Sequence, residues 1–320
     1  MPDTAPKPPR LLRYHYHRPR PTKLGAARLP PLTLTAESRR CIRNLAAHRA
    51  ARPAFPHPRA RSAAVLVALF AGRGGDLYVL LNRRSAGLRS YAGDTALPGG
   101  KVDPGDRTLE DTAIGLPRNK LKVPLLCVLE PFLASNHLIV TPVVVLILDN
   151  TIRPMLNAAE VASLFSHPLA SFLSSSPPFP TEAELIEVPY HTTSDGTYPG
   201  PNGARIPARA HRFLTGREAG GIKPVFGLTA AILIHAAAIA YARAPDFEVA
   251  PPGAQTRAER IAWAVLSDPD FRRAYEAEGL FMNWVTVARL AGVRHGGAVE
   301  EHQNEDKDGR RRRRRAWSKL

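Results

Sequence analysis

The pattern of hydrophobic and polar positions becomes regular at Ala63. Residues 63–70 form a short apolar run, which is typical of a buried strand. Residues 72–76 are rich in glycine and end in aspartate, and residues 77–81 form a second apolar run. Two such runs joined by turn residues predict a β-hairpin.

Further along the chain the pattern predicts one more strand and two helices. Residues 138–148 are apolar and β-branched, as in a central strand. The apolar spacing predicts helices over residues 227–242 and 256–266. Residues 158–173 mix helical and strand spacing, so both interpretations stay open. Strands interleaved with few helices indicate an α/β or α+β fold.

Composition divides the chain into four parts. Residues 1–60 are rich in proline and arginine without periodicity and are predicted to be mostly disordered. Residues 61–245 are predicted to form one domain, with a surface insertion at about 174–208 where turn-forming residues accumulate. Residues 246–292 are expected to be a helical extension, and residues 293–320 a charged tail.

Charge and cysteine usage limit the function classes. The formal net charge is +16, and residues 310–315 are consecutive arginines, which favours a solvated tail over a nucleic-acid site. No apolar stretch reaches the roughly 20 residues that a membrane span needs, so none is expected. Cys41 and Cys127 lack metal-site spacing and indicate free thiols in a reducing compartment.

The chain ends in a tripeptide that carries targeting information. Ser318, Lys319 and Leu320 form the C-terminal sequence that a peroxisomal import receptor reads. The sequence therefore predicts a peroxisomal protein with the import receptor as a partner.

Candidate chemistry surrounds one tight loop. Pro98-Gly99-Gly100 would let the backbone approach a ligand closely. Asp103 and Asp106 follow the loop and are hard oxygen ligands suited to Mg²⁺. Surface loops often have this composition, so a structural and a functional interpretation both stand at this point. Four basic residues would supply positive charge for phosphates: Arg83, Arg84, Arg89 and Lys101.

The stretch as a whole resembles the Nudix hydrolases, and within them the peroxisomal coenzyme A (CoA) diphosphatase branch of fungal type. The resemblance rests on the Arg-Ser-x-x-Leu-Arg segment at residues 84–89, the Pro-Gly-Gly loop and the two spaced aspartates. Later matches keep the family order across residues 62–243, among them Leu129-Glu130-Pro131-Phe132 and Phe226-Gly227-Leu228-Thr229-Ala230.

The resemblance implies both a fold and an activity. The expected fold is the Nudix α/β/α sandwich with a mixed central sheet. The expected reaction cleaves the diphosphate of CoA or acyl-CoA to 3′,5′-ADP and a 4′-phosphopantetheine compound. In the family, Mg²⁺ or Mn²⁺ is held by an Arg-Glu-x-x-Glu-Glu helix. The basic residues, Gly99 and Gly100 would bind the substrate.

The sequence departs from the family pattern after Ala113. The chain runs straight into Ile114, and about seven residues, nearly two helical turns, are absent together with all the family's helix glutamates. No catalytic residue of this type is therefore intact. Either a misassigned splice boundary explains the gap or the chain is a catalytically inactive CoA-binding protein. The intact remainder of the motif favours the first.

The remaining acidic and histidine side chains offer weaker candidates. Glu110 and Asp111 are tentative metal ligands, although a stabilising role at a helix start is favoured for both. Glu130 is expected to be a solvated strand end. His211 is interpreted either as a phosphate contact or as a surface strand residue, and His235 as a satisfied core histidine.

Overall fold

The computed structural model describes residues 34–88, 90–114, 123–148, 159–178 and 188–293. Within these ranges, regular structure begins with helix α1 (Ala36–Ala47), well before Ala63. The prediction of disorder through residue 60 is therefore wrong for this helix. Thr35 caps α1 by accepting the backbone N–H of Ser38 at 3.0 Å. Its apolar side is buried through Cys41, Ile42 and Leu45.

The centre of the molecule is a mixed sheet. Strands β1 (Ser62–Ala71) and β2 (Leu77–Arg84) form the predicted antiparallel hairpin. Strand β7 (Ile139–Leu146) runs parallel to β1 and is buried along its whole length, which confirms the predicted central strand. The other strands of this sheet are β3 (Thr95–Ala96), β4 (Gly99–Lys101), β5 (Leu125–Val128), β6 (Phe132–Leu133) and β8 (Val161–Pro168).

Helices cover both faces of this sheet. Successive side chains of a strand point to opposite faces, so the odd and even positions of β1 belong to different cores. Val67 and Leu69 pack with α1 and with helix α3 (Gly227–Tyr241), which confirms the helix predicted there. Ala64 and Ala68 pack against the short helix α2 (Leu109–Ile114). This layering confirms the predicted α/β fold with a mixed sheet.

The later part of the region predicted as a surface insertion, from residue 191 onwards, belongs to an antiparallel hairpin. Strands β9 (His191–Pro199) and β10 (Arg205–Phe213) pair along their whole lengths, and β11 (Val225–Phe226) extends them to a second sheet. Its turn residues, including Asn202 at φ 56°, account for the loop-like composition. Of the open segment 158–173, residues 161–168 are strand β8 and Leu169–Leu173 is a 3₁₀ helix.

Three described helices follow α3 in the chain: α4 (Arg257–Ser267), α5 (Pro269–Ala277) and α6 (Trp284–Leu290). Helix α4 confirms the spacing at residues 256–266, and the three share a separate core with Phe55 and Ile139. None of the described helices combines the length and the apolar character that crossing a membrane requires. The tail tripeptide lies outside the described residues.

Both cysteines are free thiols, as predicted, and both are buried. Burial raises the pKa of the Cys41 thiol to about 11 and that of the Cys127 thiol to about 12. Both thiols therefore stay protonated near neutral pH and are unreactive.

Glu130 links α3 to the C-terminal end of α1, and its prediction as a solvated strand end is wrong. Its Oε2 accepts a hydrogen bond from Nε2 of His235 at 2.8 Å, and its Oε1 lies 3.4 Å from Nε2 of His48. The bond from His235 is the main cause that lowers the Glu130 pKa to about 2. His235 is thereby satisfied within the fold, as predicted.

Replacing Glu130 by Gln should destabilise the protein in a pH-dependent way. Because the folded-state pKa is depressed from 4.5 to about 2, the stabilisation is complete above pH 4.5 and disappears as pH falls towards 2. Urea unfolding at pH 7 should show a loss of roughly 2 kcal/mol, and the loss should shrink at pH 3.5. Glu37→Gln, which removes an exposed pair with Arg40, is the matched control and should cost less than about 0.5 kcal/mol at either pH. An equal loss at both pH values would contradict this account of Glu130.

Candidate functional site

The Pro-Gly-Gly loop is built around one glycine. Strand β4 pairs antiparallel with the start of β1, with Gly99 opposite Val65. Gly99 has φ 145°, and a Cβ on it would lie 2.2 Å from the carbonyl oxygen of Ala64. Gly100 faces open space, with no heavy atom within 4 Å of its Cβ position. Close packing therefore demands glycine at 99, whereas position 100 leaves room beside the loop.

Lys101 ends β4 on the exposed side of the loop. It pairs with Ala63 in the sheet register, and its side chain is exposed. An ammonium group in this position is available to a phosphate that approaches the loop.

The two predicted aspartates form a closed turn. The Asp103 N–H donates to Oδ2 of Asp106 at 2.9 Å, and the Asp106 N–H donates to the Asp103 carbonyl at 3.0 Å. The hydroxyl of Thr112 donates to the same Oδ2 at 2.7 Å. One oxygen of Asp106 is thus occupied with internal bonds that join the turn to α2.

An arginine outside the predicted site fixes the same turn. Nη2 of Arg59 donates to the carbonyl oxygens of Asp103, Pro104 and Asp106 at 2.7, 3.2 and 3.0 Å. The backbone N–H of Arg59 is held in turn by Glu278 Oε2 at 2.9 Å. The loop therefore depends on the C-terminal helices. Sequence analysis missed this role, because Arg59 lies in the segment predicted to be disordered.

Asp111 has the structural role that the sequence favoured. Its Oδ2 accepts the backbone N–H groups of Arg107 and Thr108 at 3.1 and 3.0 Å, and Thr108 Oγ1 accepts the Asp111 N–H at 3.1 Å. This reciprocal pattern is a capping box that starts α2. Glu110 stands beside it in the first turn, where a carboxylate favours the positive end of the helix.

The carboxylates present do not fit a Mg²⁺ or Mn²⁺ ion. Such ions need several oxygen ligands around one point. Asp106 and Asp111 each use an oxygen for backbone or hydroxyl donors. Within the described ranges, moreover, no three Asp, Glu, His or Cys side chains come together as a metal-binding group. The missing segment would have to supply the ligands.

The arginines of β2 do not act as one group. Arg83 and Arg84 are consecutive in a strand, so their side chains point to opposite faces. Arg84 shares the α2 face with Leu80 and Asn82. Arg89 lies outside the described residues. The sequence placed all three near the phosphates because it cannot show which strand face each occupies.

The α2 face of the sheet has polar atoms without partners. Arg84 Nε and Asn82 Oδ1 are buried, and neither has a hydrogen-bond partner in the described part of the protein. Leu66 and Leu80 on the same face are only partly buried against α2. A buried polar atom without a partner costs about 1–3 kcal/mol of folding free energy. Together with the partly buried leucines, these atoms indicate a face that α2 covers incompletely and that two further helical turns would cover.

His211 is not at the surface, and it does not reach towards a phosphate. Its Nε2 donates to the carbonyl oxygen of Val249 at 2.9 Å, so its Nδ1 accepts from Nε2 of His191 at 3.0 Å. Both ring nitrogens are occupied within the fold. The interpretation of His211 as a phosphate contact is therefore wrong, and so is the alternative of a surface strand position.

Curated proteins of similar sequence are Nudix hydrolases. No family model matches the chain. Nudix hydrolase 15, mitochondrial, of Arabidopsis thaliana is 33% identical over 201 residues, which is 58% of this chain and 61% of that protein. Nudix hydrolase NudL of Pectobacterium atrosepticum is 39% identical over 129 residues, which is 39% of this chain and 66% of that protein. The chain thus spans about three fifths of the length of the Arabidopsis relative.

Solved structures give matches of limited extent. The Nudix hydrolase RenU from M. smegmatis has a TM-score of 0.28 and 23% identity, covering 35% of this chain and 73% of that one. A C. elegans Ap4A hydrolase complex has a TM-score of 0.28 and 21% identity, covering 33% and 80% of the two chains. Sequence similarity to the curated relatives supports the Nudix hydrolase family for this chain.

Proposed function

We propose that this chain is a Nudix-type hydrolase for the diphosphate of CoA or acyl-CoA and that its turnover is impaired as the chain stands. The substrate class is supported by the Arg-Ser-x-x-Leu-Arg segment and the Pro-Gly-Gly loop, which resemble the CoA diphosphatase branch. The impairment is supported by the lack of a metal-binding carboxylate group among the described residues.

One observation carries the proposal. The loop at Gly99 is packed so closely that it has no room for a side chain, while the space beside Gly100 stays open and the side chain of Lys101 is exposed next to it in the chain. Backbone N–H groups and an ammonium group around such a space suit the oxygens of a diphosphate. The products would be 3′,5′-ADP and 4′-phosphopantetheine or its acyl derivative.

The described residues of this chain do not by themselves provide a divalent metal site. Nudix hydrolases generally use divalent metal ions. In this chain Asp103 and Asp106 would support Mg²⁺ or Mn²⁺ only together with the missing segment. What the present side chains would do is bind and orient: the exposed Lys101 would contact a phosphate, and Arg59 holds the loop in shape.

The experiment that tests the substrate class uses a chain with the segment returned. The restored chain carries seven residues containing Arg-Glu-x-x-Glu-Glu, about two helical turns, between Ala113 and Ile114. We expect it to release 3′,5′-ADP from CoA at least about tenfold faster than it cleaves ADP-ribose, measured by chromatography with Mg²⁺. Preference for ADP-ribose would contradict the proposal of CoA.

We also propose that the protein enters peroxisomes through Ser318, Lys319 and Leu320 and the import receptor. A fluorescent protein fused ahead of the full chain should colocalise with a peroxisomal marker. Deleting Leu320 should abolish that colocalisation. Unchanged colocalisation after the deletion would overturn this proposal.

A further inference from the structure

A second basic group lies on the opposite face of β2 from α2. The guanidinium of Arg83 is 3.6 Å from the Cβ position of Gly221. The guanidinium of Arg217, four residues earlier, stands over the ring of Phe165 with its Cζ 6.0 Å from the ring centroid. Both arginines are thus associated with the same turn at the edge of the sheet.

The strand register places these groups on one face. Leu81 is opposite Phe165, and Arg83 is opposite Ser163, in the antiparallel pair of β2 and β8. Side chains directly opposite each other in such a pair share a face. Arg83 therefore points to the same side as Phe165, over which Arg217 lies.

The turn that contains Arg217 and passes beside Arg83 is closed by its own hydrogen bonds. The carbonyl of Arg217 accepts the N–H groups of Gly220 and Ile222 at 3.0 and 3.3 Å. Gly216 and Gly221 have φ values of 72° and 75°, which glycine adopts without strain. The position of Arg217 relative to Arg83 is therefore set by a defined backbone.

The acidic groups nearby are already engaged. Glu218 accepts the backbone N–H groups of Thr215 and Arg217 at 2.7 and 3.0 Å. Asp94 pairs with Nζ of Lys223 at 2.6 Å. Within the described residues no carboxylate lies in salt-bridge distance of either guanidinium. A bound anion would therefore not compete with a carboxylate of the protein for these two arginines.

The positive charge of Arg217 also affects a buried histidine nearby. His167 is buried on β8, and its pKa is lowered to about 4, first by desolvation and then by the positive charge of Arg217. His167 consequently stays neutral and does not add to the charge at this edge. Arg83 and Arg217 are the groups that define the anion preference here.

We propose that Arg83 and Arg217 form a subsite for a phosphate monoester, separate from the place of the diphosphate beside the Pro-Gly-Gly loop. This inference rests on the proposed function, because CoA has a 3′-phosphate monoester in addition to its diphosphate. The guanidinium group of arginine can donate two parallel hydrogen bonds to the oxygens of a terminal phosphate. A ligand that lacks this phosphate would lose these bonds. The subsite would therefore select CoA over its analogue that lacks the 3′-phosphate, dephospho-CoA.

The test compares CoA with dephospho-CoA by isothermal titration of the full chain and of two variants. We expect the unchanged protein to bind CoA roughly tenfold more tightly than dephospho-CoA. Arg217→Gln should reduce CoA affinity by about the same factor and leave dephospho-CoA affinity unchanged within about twofold. Arg243→Gln is the matched control, since Arg243 is also an exposed arginine over an aromatic ring, that of Tyr241. It should change neither affinity.

The outcomes separate the two proposals. If neither ligand binds, the proposed function itself fails. If both ligands bind equally, or if Arg217→Gln weakens both to the same extent, the CoA assignment stands and the subsite is overturned. An equal loss in Arg243→Gln would also overturn it, because the effect would then be one of general charge.

Discussion

The restored chain should hydrolyse CoA at least about a thousandfold faster than the chain as it stands, since catalytic groups that act as a unit contribute factors of this size or more. The assay is the release of 3′,5′-ADP followed by chromatography with Mg²⁺, and EDTA should abolish the gain. The gain is expected because the missing segment carries all the helix glutamates of the family pattern and the described residues hold no replacement for them.

The site of insertion is compatible with the fold. Leu109 and Ala113 anchor α2 on the sheet. Seven added residues turn a helix by nearly two full turns, with a drift of only about 20°, so the apolar face keeps its direction. The same face of the sheet has partly buried Leu66 and Leu80, which a longer α2 could cover. The segment can therefore be accommodated without disturbing the anchor.

Two control inserts separate chemistry from structure. A seven-residue insert of alanines, about two turns long, supplies length without carboxylates, and a second insert replaces each Glu of the motif by Gln. Both should leave CoA hydrolysis at the level of the unchanged chain. Equal turnover in the alanine insert would show that helix length, and not the carboxylates, limits the reaction.

Gly99→Ala should destabilise the protein more than any other single methyl addition considered for this site. The added Cβ would lie 2.2 Å from the carbonyl oxygen of Ala64 and 2.7 Å from the Cα of Val65, at a φ of 145°. Both neighbours are backbone atoms of a buried strand and cannot rotate away. We expect a loss of roughly 3 kcal/mol or more in urea unfolding, because steric and backbone strain add.

Gly100→Ala is the matched control for that experiment. The same methyl group at this position meets no heavy atom within 4 Å, so the free energy of unfolding should change by less than about 0.5 kcal/mol. Similar losses in the two variants would contradict the close approach of β4 to β1.

The β-rich core was predictable because its signals are local. The hairpin of β1 and β2, the central strand β7 and helix α3 each follow from a continuous apolar run with turn residues at its ends. The closed loop at Gly99 was also indicated by its residues. The structure adds the reason, which is contact with Ala64 across the sheet.

Other features depend on contacts between distant parts of the chain. Helix α1 lies between proline-rich segments whose composition dominates the pattern. Arg59 reaches the turn at Asp103 across 44 positions, and Glu130 meets His235 across 105. The divergence of Arg83 and Arg84 follows from strand geometry once β2 is known to extend that far. The proposed domain boundaries and substrate contacts stay predictions.

The most direct test of the central claim is calorimetric titration of the chain as it stands with CoA, in Mg²⁺ and in EDTA. The claim is that the phosphate-binding frame persists while the metal-binding carboxylates are missing. It predicts saturable binding of CoA with the same affinity in both buffers. No binding in either buffer, or binding that appears only with Mg²⁺, would contradict it.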